Sequence, residues 1–87
     1  MKDVTGLYDI SEEKLELISK TLKDITSALK ERGYNPLNQL VGYLISGDPG
    51  YISNYQDCRN KILAFDRSEI LAIILAEYLG NVWDALV

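Results

Sequence analysis

Apolar residues recur at alternating steps of three and four along Leu15, Ile18, Leu22, Ile25 and Leu29, while Lys14, Glu16, Lys20, Lys23, Lys30 and Glu31 fall between them. Such spacing gathers the apolar side chains into one stripe of a helix and leaves the charges on the other faces. Ser11 can cap its N-terminus, Glu12 and Glu13 suit the positive end of its dipole, and Gly33 supplies a left-handed stop, so a first helix is predicted over about residues 12–32. Asn35 followed by Pro36 marks a second helix start. Leu37, Leu40, Val41, Leu44 and Ile45 are expected on its buried side, and Gly47 at its end. Gly42 inside that helix costs up to about 1 kcal/mol relative to alanine, which predicts the close approach of another backbone there.

Gly47-Asp48-Pro49-Gly50 is the densest turn signal in the chain. A third helix is predicted over about residues 53–65 with Tyr55, Ile62 and Phe65 facing inward. Asp66 and Glu69 have capping-box spacing and announce a fourth helix from Arg67. Between Ile70 and Leu79 this helix is apolar nearly all round. Gly80 and Asn81 are expected to end it, leaving Val82, Trp83, Ala85, Leu86 and Val87 as a short apolar tail. Met1 to Ile10 shows no sustained period and reads as a mobile arm. The fold class expected is therefore all-α, a compact bundle of four to five short helices, with an arm at residues 1–10 and a single helical domain at 11–87.

Length sharpens one part of this picture. A chain of 87 residues buries only about 60 to 65% of its unfolded surface, too little to surround a helix as apolar as the fourth. A homodimer follows as the economical expectation, with Ile70, Ile73, Ile74 and Tyr78 as the candidate interface.

Composition narrows the chemistry. With no histidine, the chain lacks the commonest general base and metal ligand, and the lone Cys58 has neither a disulfide partner nor an activating base. No catalytic residue, metal site or cofactor is predicted, and the chain is expected not to be an enzyme. The net charge of −4 disfavours phosphate-backbone binding, so a dimeric helix-turn-helix-like DNA-binding regulator is only the alternative reading. No apolar run reaches the roughly 20 residues that span a bilayer, and the N-terminus lacks signal-peptide character, which predicts a cytoplasmic protein with no nucleic-acid or membrane partner. In the arm, Thr5 presents a hydroxyl that a kinase can reach, and a phosphate there would add roughly 1.5 to 2 negative charges. Arg59 and Arg67 are candidate acceptors for such a group by residue type, and local salt bridges to Asp57, Asp66 or Glu69 are the simpler reading of both.

The segment from Glu31 to Ile52, ERGYNPLNQLVGYLISGDPGYI, closely resembles the signature of the IreB/ReoM family of small Gram-positive regulators. The resemblance continues through Cys58-Arg59 and Asp66-Arg67-Ser68-Glu69-Ile70, and Lys2-Asp3-Val4-Thr5-Gly6-Leu7-Tyr8 is similar to the family's phosphoacceptor arm. It implies an all-helical, cytosolic homodimer without enzymatic activity, phosphorylated at Thr5 by the Ser/Thr kinase that carries extracellular PASTA repeats and reset by the cognate phosphatase. It further implies restraint of peptidoglycan synthesis in the unphosphorylated state, through a Clp protease adaptor role toward a wall-precursor enzyme. Arg59 matches a family arginine linked to function. Asn54 and Leu63-Ala64 stand where relatives tend to carry basic residues.

Overall fold

The computed structural model describes the backbone of residues 10–86 and the side chains of residues 10–80. Four α-helices, α1 (Glu12–Glu31), α2 (Pro36–Ser46), α3 (Cys58–Leu63) and α4 (Arg67–Leu86), are joined by short connections containing two single 3-10 turns, Pro49–Tyr51 and Tyr55–Asp57. No strand occurs among the described residues.

Helix α1 starts and stops where its sequence directs. The Ser11 side chain accepts from the Lys14 N–H at 3.1 Å. At the other end Gly33 takes φ +85, and the Tyr34 and Gly33 N–H groups donate to Leu29 and Lys30 carbonyls at 2.9 and 3.0 Å, a Schellman closure. Ile18, Ile25 and Leu29 are fully buried, Leu15 and Leu22 pack beside them, and α2, α3 and α4 all rest on this helix. Tyr43, Ile52, Cys58, Ile62, Ile70 and Ile73 complete the core with Ala28 and Ile10. Ile10 thus belongs to the domain and not to the arm to which the sequence pattern assigns it.

Helix α2 turns a different face inward from the one expected. Asn35 caps it through the Asn38 N–H at 3.2 Å, and Gly47 closes it at φ +77. Tyr43 is buried, with Leu40 and Leu44 packed against the core, whereas Leu37, Val41 and Ile45 are exposed. The tyrosine ring reaches deeper into the core than the smaller aliphatic chains do, and it sets the helix rotation. Gly42 is not approached by a backbone: a Cβ built there would lie 2.5 Å from the Tyr51 ring, which is laid flat against the helix at this position.

The expected third helix is broken in two. Gln56 and Asp57 have φ of +51 and +63, so the 3-10 turn and α3 meet at a kink where a continuous helix was predicted. Each left-handed non-glycine residue costs on the order of 1–2 kcal/mol. Local bonds offset this: the Gln56 amide donates to Glu31 Oε2 at 3.2 Å, and Asp57 accepts from the Asn60 amide at 2.8 Å. On either side of the kink, Ile52 and Ile62 are buried in the core and Tyr55 packs against it.

Helix α4 begins as its capping box requires, with Glu69 Oε1 accepting from the Asp66 N–H at 3.4 Å. It does not end at Gly80 and Asn81 but continues to Leu86, since one glycine costs only about 1 kcal/mol and no proline follows. The tail residues therefore lie on the backbone of α4; their side chains are outside the described residues. No helix among the described residues is long and apolar enough to cross a membrane.

Two outcomes are expected from this packing. Ile25→Ala should lower stability by about 2–5 kcal/mol in chemical denaturation, because the side chain is fully buried in the core. Lys14 Nζ lies 2.7 Å from Glu69 Oε2, tying the first turn of α1 to the first turn of α4. The lysine hydrogen bond, reinforced by the Asp66 amide, holds the Glu69 carboxyl below its ordinary value. Its contribution to stability is present above the ordinary glutamate pKa and is lost as the pH falls through the lowered one. An NMR titration of the Glu69 carboxyl should show Lys14→Met moving its midpoint upward toward the ordinary value.

Candidate functional site

The densest convergence of polar side chains surrounds the segment from Leu44 to Ile52, which runs from the last turn of α2 through the first 3-10 turn. Its main chain is folded by local bonds. Ser46 Oγ accepts from the Asp48 N–H at 3.0 Å, Asp48 Oδ1 accepts from the Gly50 N–H at 2.8 Å, and the Ile52 N–H donates to the Pro49 carbonyl at 3.0 Å. Gln39 reaches across from α2 to accept the Ser53 N–H at 2.8 Å.

Two arginines close on this segment from other helices. Arg59, on α3, donates its Nε–H to the carbonyls of Pro49 and Ile52 at 3.2 and 3.0 Å. Arg67, at the first turn of α4, donates Nη1–H to the Leu44 carbonyl at 3.0 Å. Its guanidinium covers Gly47, where an added Cβ would fall 2.8 Å from Arg67 Cζ. Arg67 thereby places a positive charge at the C-terminal end of the α2 dipole and occupies one of its orphan carbonyls.

The local salt bridges expected for both arginines are not formed: among the described residues the ion pairs are Lys14 with Glu69 and Lys20 with Asp24. Both guanidiniums are matched instead to neutral carbonyls, so their charge is not cancelled by a carboxylate in contact. The remaining arginine, Arg32, lies 5.4 Å from the centroid of the Tyr55 ring.

The candidate interface residues divide. Ile70 and Ile73 are buried in the chain's own core, in the stripe of α4 that faces α1. Ile74 and Tyr78 are exposed at 40% and 63%, and with Leu71, Leu75 and Leu79 they make an uncovered apolar side of α4. Sequence reading missed a second uncovered ridge, Leu37, Val41 and Ile45 on α2. The signal available for it was the four-residue step between these three positions, which separates them from Leu40, Tyr43 and Leu44.

Little in the described structure resembles a reaction centre. Cys58 is fully buried with Sγ 4.0 Å from the Ile25 carbonyl, and burial pushes its thiol up, with Lys61 opposing, so the reactive thiolate is disfavoured. Among the described residues no group of three or more cysteine, aspartate or glutamate side chains could hold a metal ion. An open trough of about 570 Å³ between α1 and α2 is walled by Thr26, Lys30, Tyr34 and Leu37, with Lys30 its sole charged side chain. Thr5, the candidate phosphoacceptor, lies outside the described residues.

Against known families, the chain matches the model of the IreB regulatory phosphoprotein over residues 3–80. That span contains Thr5, both arginines, the segment they hold and all but the end of α4. With nearly its whole length accounted for, this all-helical chain belongs to the IreB family of regulatory phosphoproteins.

Proposed function

We propose that the chain is a non-enzymatic, cytoplasmic regulator of peptidoglycan synthesis, acting as a dimeric adaptor that governs Clp-dependent turnover of a wall-precursor enzyme and switched by phosphorylation of Thr5. The observation that carries this reading is the family match, which begins at residue 3 and so includes the threonine-bearing segment as well as the folded domain. The kinase it calls for is the PASTA-domain Ser/Thr kinase, opposed by its cognate phosphatase. The partner surface is centred on Arg59 and Arg67 and the Leu44–Ile52 main chain to which they donate, and among the described residues neither arginine pairs with a carboxylate. A phosphate on the arm would add roughly 1.5 to 2 negative charges to a molecule that already carries −4, enough to alter docking with a charged partner.

Dimerisation is supported by what the protomer leaves uncovered. Tyr78, Leu75 and Leu79 are more than half exposed on α4, as are Leu37 and Ile45 on α2. Arg67 links the two helices through its bond to the Leu44 carbonyl, Leu44 being the neighbour of Ile45 and Arg67 standing one turn before Leu71. A stable interface needs on the order of 800 Å² from each partner, and uncovered apolar ridges on two helices offer more of it than either alone.

Incubation with the cognate kinase followed by mass spectrometry should place phosphate on Thr5, and Thr5→Ala should abolish it while locking cells in the restrained state of wall synthesis. Phosphate elsewhere, or Thr5→Ala cells indistinguishable from wild type, would defeat the switch. For assembly, light scattering should give twice the protomer mass for the wild type and the protomer mass for Ile74→Asp, because an unpaired charge would be carried into the interface at a cost of several kcal/mol. An unchanged mass would place that face outside the contact.

A further inference from the structure

We infer that Arg59 and Arg67 are positioning residues that act as a paired latch on the Leu44–Ile52 segment, each working through the main chain it holds and not through its charge. The two side chains come from different helices and grip opposite ends of one segment: Arg67 at the Leu44 carbonyl, Arg59 at the carbonyls of Pro49 and Ile52. Their local environment is shaped for them. Gly47 must be bare for the Arg67 guanidinium to lie where it does, and its φ of +77 suits glycine for a second reason.

The segment has little else to hold it. Asp48, Gly50 and Tyr51 are exposed, and Ile52 alone is fully buried. Asp48 is its one charged residue and enters no salt bridge among the described residues, and core packing anchors only the two ends of the segment, at Leu44 and Ile52. Between those ends its turn is shaped by its own short-range bonds, and what ties it to the other helices is the arginine pair, the Gln39 bond to the Ser53 N–H and the Tyr51 ring lying on Gly42. A guanidinium is suited to this task in a way that an ammonium is not. Its N–H groups are fixed in one plane, so Nε of Arg59 can be shared between two carbonyls with little further ordering.

This deepens the regulatory reading for what the segment is used for, since the partner surface proposed above is the one the latch shapes. The latch itself requires no partner. It also explains how an arginine can be needed without touching anything outside the chain.

Amide hydrogen exchange of the full-length protein, followed by NMR, tests it. In the wild type the Tyr51 and Ile52 amides are bonded within the segment, and the Gly47 amide to Tyr43. Loss of the guanidinium's fixed hydrogen bonds to these carbonyls, which an ammonium does not reproduce in the same geometry, should open such a segment by at least about tenfold. Arg59→Lys should therefore speed exchange at Tyr51 and Ile52 by that factor, and Arg67→Lys at Gly47, while the Ile25 and Leu29 amides of α1 keep their wild-type rates. Three results would overturn the inference: lysine variants that protect as well as arginine, which would reduce the role to charge; unchanged rates in alanine variants; or equal acceleration in α1, which would mean a general loss of stability. Exchange is read without kinase or partner, so a failed latch is distinguishable from a failed switch at Thr5.

Discussion

One stripe of α1 is the surface on which every other element depends. Ile18, Ile25 and Leu29 are wholly withdrawn from water, and α2, α3 and α4 each lie against this helix. A chain of 87 residues can complete one such layer, and among the described residues no further element covers the outer sides of the helices that form it. The inner face of each helix is accordingly settled within the protomer. The outer faces of α2 and α4 carry apolar side chains that the protomer itself does not bury.

That division explains which features were legible in the sequence. The stripe of α1, its Ser11 cap and its Gly33 stop follow from spacing and capping chemistry, which act over a few residues and are written locally. The same holds for the Asn35-Pro36 start of α2 and the Glu69 reach-back at α4. The failures occur where long-range packing chooses between local options. Tyr43 displaced Leu37, Val41 and Ile45 from the buried side of α2 because its ring reaches farther inward, a comparison that periodicity does not make. The kink at Gln56 and Asp57 is stabilised in part by Glu31, twenty-five residues away from Gln56 in the chain, so no short window contains its cause.

The site shows the same limit more sharply. Residue type identified Arg59 and Arg67, but it favoured carboxylate partners because Asp57, Asp66 and Glu69 are neighbours in sequence. In the fold Glu69 is taken by Lys14 and Asp57 by Asn60, and the arginines turn to main-chain carbonyls at the end of α2 and around the first 3-10 turn. Backbone acceptors have no identity in a sequence, so an interaction with them leaves no pattern to find. The glycines were the available trace. Gly42 and Gly47 are bare where Tyr51 and Arg67 lie, and the cost of a glycine inside a helix signals that something must occupy its place.

These elements put order and exposure side by side in one small protein. From Gly33 to Gln56 the sequence contains a single charged residue, Asp48, and this stretch includes both the exposed ridge of α2 and the segment gripped by the arginines. An uncharged exposed surface is weakly hydrated compared with a charged one, so covering it carries little desolvation penalty. Its conformation, by contrast, is held by cations from α3 and α4 that sit at the border of the stretch. The conformation of this stretch is thereby held from its border while its own exposed surface carries only Asp48 as a charge, which separates the cations that hold the segment from the side chains the segment presents.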